Sequence, residues 1–368
     1  MTIASLERPD HVARKITGDR VAPRAAAGFA RRRGGRWEIS SGEETPRSEG
    51  SIFDLASLTK PMTAFAIVRA GIDRRALLGD LLNEVRGTAA DVPLEIVLAH
   101  RAGLEANLPL FEPLVVGGVK NVDRGEAIRR AASARRDDAR GVLPEEGFAP
   151  VYSDLGYILA GEVLARATGA RDAGEAIERL VVAPLGLSAE LGTARALSEI
   201  AAAFDRRVIP TEVVAWRGGE VRGCVHDENA WALTGTGGSG HAGMFGTVDA
   251  VLRFGAAALD AIVRGDGPLA GGGDLSWLVR ERPYGSLRAG FDGKSDGSDG
   301  SRSSAGKHAG PRTFGHLGFT GTSLWIDPEQ GSVVSLLTNR VHPTRENVAI
   351  RQARPVAHDA LWKMAQAR

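Results

Sequence analysis

With 368 residues, 43% of them hydrophobic and 25% charged, the chain has the composition of a soluble globular protein, long enough for two or three domains. A net charge of +1 and scattered arginines give no basic stripe for nucleic acid or an anionic membrane. Cys224 is the only cysteine, which excludes an internal disulfide and a cysteine-based metal site.

The opening "MTIASLERPDHVARKITGDR" has no apolar core or small-residue cleavage site, and no later run approaches the roughly 20 apolar residues of a membrane span. A cytoplasmic protein is expected. The stretch 25–42 reads as two strands around "RRRGG", turned by Gly34-Gly35. Next comes "FDLASLTKPMTAF", where Pro61 disfavours the helical region for Lys60. A tight turn from Ser57 to Lys60 is expected, with a regular helix running on from Pro61.

Residues 80–200 read as mainly helical, through "DLLNEV", "LEIVLAH", "GEAIRRAASARR", "DLGYILAGEVLARATG" and "AGEAIERLVVAPLGL". Gly169 closes the fourth of these. The stretch 247–263 repeats the pattern, with Thr247 as N-cap and Asp249 in the first turn. The segment 290–310 is rich in Gly, Ser, Asp and Lys, with almost nothing to bury, and is expected to be a flexible surface loop. The stretch 316–339 gives two strand-like runs around "DPEQG", and "ARPVAHDALWKMAQA" ends the chain as a helix. Strands at both ends with helices between them predict an α+β protein: residues 1–60 and 250–368 build one sheet domain, and 61–249 a mainly helical lobe.

Two patterns mimic functional motifs without the context those motifs need. "GKSDG" (293–297) fits G-x-S-x-G but lies in the Gly/Ser-rich loop, not on a strand-to-helix turn. "GTGGSG" (235–240) fits G-x-G-x-x-G, but "HAGMFG" does not open a helix after it, so no nucleotide is expected to bind there. No metal or other cofactor is predicted, because the histidines have neither H-x-H nor H-E-x-x-H spacing.

Among only six lysines, two complete an S-x-x-K pattern. Ser304 and Lys307 lie in the loop. Ser57 and Lys60 have apolar flanks on both sides, and i,i+3 spacing puts hydroxyl and ammonium on one face. Burial is expected to lower the lysine pKa until the amine can take the serine proton, which an arginine never does.

Ser57-x-x-Lys60, then Tyr152-x-Asp154, then His316-x-Gly318 occur in that order, with "LAHRAGL" (98–104) and "GHAGMFGTVDAVLRF" (240–254) as further landmarks. This resembles the serine β-lactamase and penicillin-binding protein family, above all the branch of class C β-lactamases, D-Ala-D-Ala carboxypeptidases, D-aminopeptidases and family esterases. The resemblance covers most of the chain and implies the β-lactamase/transpeptidase fold. It makes Ser57 the acylated nucleophile, Lys60 its base and Tyr152 the proton shuttle. Asp154, His316 and Gly318 would line the site, and the N–H groups of Ser57 and Phe319 would form the oxyanion hole.

Two departures bear on substrate. Asp154 stands where the family has an amide, and His316 and Leu317 replace the lysine and threonine of Lys-Thr-Gly. These changes remove groups that recognise a substrate carboxylate. The expectation is a carboxylesterase acting on small neutral esters. The alternatives are a β-lactamase, D-aminopeptidase or DD-peptidase with the same residues, and a catalytically silent ligand-binding protein of this fold. A small-molecule ester or amide is the expected partner, with neither nucleic acid nor membrane.

Overall fold

The computed structural model describes residues 6–117, 121–139, 141–200, 203–295 and 302–367. Helix α1 (Pro9–Gly18) leads into β1 (Ala25–Arg33) and β2 (Arg36–Glu43), joined at Gly34-Gly35 as the sequence suggested. A short strand β3 (Phe53–Asp54) delivers the chain to helix α2 (Thr59–Arg69). Helix α3 (Asp154–Thr168) is capped by Ser153 and closed by Gly169 in the left-handed conformation. The short strands β4 (Leu191–Thr193) and β5 (Met244–Gly246) flank a further run of helices and turns, and helix α4 (Val248–Arg264) follows with Thr247 as its N-cap. Strands β6 (Asp292–Gly293), β7 (Phe314–Leu317), β8 (Ser323–Asp327) and β9 (Ser332–Thr338) precede the closing helix α5 (Ile350–Gln366).

The main sheet has the order β2-β1-β9-β8-β7-β6, with every neighbouring pair antiparallel. Its central strands are buried on both faces. Ala26, Ala30, Val333 and Leu337 join the larger core with α4, whereas Ala25, Ala27, Phe29, Val334 and Leu336 join a second core under α1 and α5. Small residues in β1 are what two-sided burial requires. On α4, a Cβ at Gly255 would lie 2.7 Å from Val333, so only glycine lets the helix approach the sheet this closely. A second, three-stranded sheet of order β3-β5-β4 packs beside the first and fixes the entry to α2.

Several elements differ from the sequence expectation. The helix of "PMTAFAIV" begins earlier, at Thr59, so Lys60 and Pro61 both lie in its first turn. That position tolerates proline because the missing N–H has no intrahelical acceptor there. The helix in "DLLNEV" is only Leu78–Leu81. The one in "AGEAIERLVVAPLGL" is α-helical over Ala173–Ile177, widens to a π turn over Glu178–Val182 and stops after Leu185. The C-terminal region has three strands, since β7 is separate from the pair around "DPEQG".

The 290–310 segment buries more than its composition suggested. Phe291 and Ala305 lie in the two cores, Asp292–Gly293 forms the edge strand, and the Trp362 indole donates to the Ala305 carbonyl at 2.8 Å. Residues 296–301 of that segment, and with them part of "GKSDG", lie outside the described residues. Among the described residues, no helix is long and apolar enough to cross a membrane.

Candidate active site

The chain enters the site through Asp54, Leu55 and Ala56. Ala56 has φ +49°, a strained conformation for a residue with a Cβ, and it stands immediately before Ser57. A 3₁₀ turn over Ala56–Leu58 then runs straight into α2. Ser57 and Lys60 share one face of this junction, and the Lys60 Nζ lies 2.8 Å from the Ser57 Oγ. Tyr152 and Asp154 come from the start of α3, and Lys60 reaches the Asp154 Oδ1 at 2.7 Å.

Lys60 is fully buried, and its third acceptor is the His241 carbonyl at 3.4 Å. Three acceptors match the three N–H donors of an ammonium, whereas a neutral amine has two. The electrostatics agree. Burial, the strongest single influence, pulls the Lys60 pKa down, but Asp154 and Tyr152 together more than offset it and hold the amine above its ordinary value. This corrects the expectation that burial would leave Lys60 neutral. An amide at position 154 would exert no such pull.

Tyr152 lies beside the lysine, with Nζ 4.7 Å from the ring centre. Burial and then the Asp154 charge push this phenol up against the opposing pull of Lys60, so it rests protonated. The ring also stacks on His100, with centroids 4.7 Å apart. His100 accepts the Ser153 N–H on Nδ1 at 2.9 Å and stays neutral through burial and the Lys60 charge. This support, from "LAHRAGL", carries no catalytic motif and was not identified from sequence.

A cleft of about 420 Å³ opens onto Ser57, Tyr152 and Asp154. Leu317, Gly318 and Phe319 form its sheet-edge wall. Gly318 follows the end of β7 rather than lying within the strand. His316 lies behind that wall, 3% exposed, with its ring 5.9 Å from Tyr152 and its Nδ1–H given to the Leu317 carbonyl at 2.8 Å. Burial and the Lys60 charge push its pKa down to about 3, so it is no stand-in for a lysine charge. Asp154, Lys60, Ser57 and Tyr152 therefore form one contact cluster, Gly318 and Phe319 face it across the cleft, and His316 backs Tyr152.

The cleft lining is also rich in arginine: Arg340, Arg345, Arg351 and Arg354 contribute to it. Arg345 is paired with Glu212 and Glu228, whereas Arg340 and Arg354 bond to main-chain carbonyls. Position in "TNRVHPTRENVAIRQARP" gave no hint that these side chains line the same cleft as Ser57, more than 280 residues earlier in sequence.

"GTGGSG" serves to pack, not to cradle phosphate. A Cβ on Gly240 would collide with the Tyr157 carbonyl oxygen and with Gly161 on α3. This close approach brings the Gly240 carbonyl to the Thr63 hydroxyl at 2.8 Å and the next carbonyl, of His241, to Lys60. Among the described residues, no group of three or more His, Cys, Asp or Glu side chains is placed to hold a metal ion.

A serine, a buried lysine and a tyrosine meeting at a cleft between an antiparallel sheet and packed helices define a serine hydrolase of the β-lactamase/transpeptidase fold. The chain belongs to the beta-lactamase family, whose model matches residues 9–358. It is 24% identical over 351 residues to a protein of Escherichia coli O157:H7 named "Putative D-alanyl-D-alanine carboxypeptidase", an alignment covering 89% of this chain and 77% of that one. In structure it is similar to a family VIII carboxylesterase, with a TM-score of 0.63, 18% identity and 96% of each chain covered. It is equally similar to a class C β-lactamase from Rhodobacter sphaeroides, with a TM-score of 0.63 and 16% identity, covering 97% of this chain and 99% of the other. These two likenesses bear on the fold alone.

Proposed function

We propose that the enzyme hydrolyses small carboxylic esters through an acyl-enzyme on Ser57. The observation that carries this is the buried Lys60 amine, 2.8 Å from a Ser57 hydroxyl that opens onto the cleft. The deprotonated fraction of Lys60 takes the Ser57 proton as Oγ attacks the ester carbonyl. The carbonyl electron pair moves onto oxygen, facing the N–H groups of Ser57 and Phe319. Tyr152 then gives its proton to the departing alkoxide and is reprotonated by Lys60, and water reverses the sequence to release the acid. Asp154 sets how much of the lysine is available as base.

Leu317 and the neutral His316 support a neutral ester or amide over an anionic substrate, because neither offers a substrate carboxylate a charged or hydroxylic donor on that edge. A second substrate class is favoured by one observation: Arg351, which lines the cleft, suits an acidic substrate, such as a peptide with a C-terminal carboxylate or a β-lactam. Turnover of p-nitrophenyl acetate and butyrate, measured beside nitrocefin and a D-Ala-D-Ala peptide, separates the two. The esters are expected to react at least about a hundredfold faster in kcat/KM, a difference of roughly 2.7 kcal/mol in barrier. Good nitrocefin or peptide hydrolysis with idle esters would assign the acidic class instead.

A further inference from the structure

The structure assigns to Asp54, three residues before the nucleophile, the task of positioning the oxyanion hole. This rests on the proposal above that the hole consists of the Ser57 and Phe319 N–H groups. Asp54 is 1% exposed, a position where a carboxylate is kept only if its oxygens are satisfied. Its Oδ1 accepts the Ala56 N–H at 2.8 Å and its Oδ2 the His226 N–H at 2.7 Å. The first bond clamps the residue whose φ of +49° turns the chain into Ser57. Ser57 is the second residue of its 3₁₀ turn, so its N–H has no acceptor within that turn and depends on the clamp for direction.

The second bond leads to the other half of the hole. The His226 ring stacks on Phe319, with centroids 5.7 Å apart and planes 18° apart, and its Nε2 meets Glu212 at 2.9 Å. The main chain of Asp54 and Leu55 is tied to the same place. The Thr320 hydroxyl donates to the Asp54 carbonyl at 2.8 Å and that of Thr322 to the Leu55 carbonyl at 2.9 Å. Arg354 donates to the Gly318 carbonyl at 2.8 Å, and that carbonyl shares its peptide plane with the Phe319 N–H. The Asp54 carboxylate therefore braces one donor through Ala56 and the other through His226, and the main-chain tie to Thr320 holds the same two segments together independently of it.

Such a brace acts on the transition state, where the carbonyl oxygen becomes charged, and hardly on the bound ester. Asp54→Asn keeps the shape but leaves one N–H facing an amide N–H. With p-nitrophenyl acetate and the full chain, kcat is expected to fall about tenfold or more, in keeping with the loss of a hydrogen bond to a charged acceptor. KM should stay within about twofold and the pH position of the rate limb should not move, because Asp54 is not among the groups that bond to Lys60. A group that only stabilises the fold would lower the melting temperature and leave kcat per folded molecule unchanged, and that result overturns the inference. If Asp54→Asn does not fold, Asp54→Glu, which keeps the carboxylate but displaces it from the two N–H groups, makes the same test, with the same split expected and unchanged kcat again contradicting it. Labelling of wild-type Ser57 with a fluorophosphonate keeps the two levels apart. No label defeats the serine mechanism itself, whereas a label together with an undiminished Asp54→Asn kcat defeats the role of Asp54 alone.

Discussion

Lys60→Arg is expected to abolish ester turnover, with kcat/KM falling by at least about a thousandfold, within the range for loss of a general base. The substitution keeps the positive charge opposite Asp154, so any role of Lys60 as a fixed charge would survive. It removes the only property that distinguishes lysine chemically, the ability to lose a proton inside the protein. The site also offers little room for a planar fork. Lys60 is fully buried, the Tyr152 ring lies 4.7 Å from its Nζ and that of Tyr157 5.5 Å. Steady-state kinetics on p-nitrophenyl acetate, with a melting curve to verify folding, make the comparison. A folded Lys60→Arg enzyme within tenfold of wild type would mean that another group takes the Ser57 proton.

Asp154→Asn is expected to move the activity toward lower pH. The sign follows from the site. The Asp154 carboxylate, 2.7 Å from Nζ, raises the Lys60 pKa against the opposing effect of burial. The base is the deprotonated amine, so the wild-type rate climbs with pH and levels off only on the alkaline side, above the raised Lys60 pKa. Replacing the carboxylate with an amide removes the charge that favours the ammonium, and the climb occurs at lower pH. Below pH 7 the variant should outpace wild type by about a hundredfold, the scale of a lost opposite charge at contact distance. A pH profile of kcat/KM decides. A variant slower than wild type throughout would show that Asp154 must itself accept a proton from Lys60.

The two halves of this site differ in how far the sequence disclosed them. Ser57 and Lys60 were legible because helical spacing puts i and i+3 side by side, and that relation is local. Tyr152 and Asp154 were found only because they sit at the start of a strongly patterned helix, α3, in a family order. The protonation state of Lys60 was misjudged because burial in the flanking residues was weighed alone. A charge contact from Asp154 was conceivable from the family order, but its 2.7 Å reach across 94 positions, and so its effect on the lysine, was not. Gly318 was placed within a strand that ends one residue sooner, and His316 was taken for a wall residue although pleating turns it behind Tyr152. The arginine wall and the Asp54 brace were out of reach for the same reason. Their meaning comes from contacts between segments such as 54 and 226, or 319 and 340, with no local pattern to announce them. The central sheet, by contrast, was legible through its turns at Gly34-Gly35 and "DPEQG" and through the apolar runs beside them.

The most direct measurement is intact mass followed by peptide mapping after a fluorophosphonate or a slowly hydrolysed ester is added. One adduct per chain on Ser57, absent in Ser57→Ala and slowed in Lys60→Arg, is the predicted result. An adduct on another serine, or none on a folded and otherwise unmodified protein, would contradict the assignment of Ser57 as the acylated nucleophile.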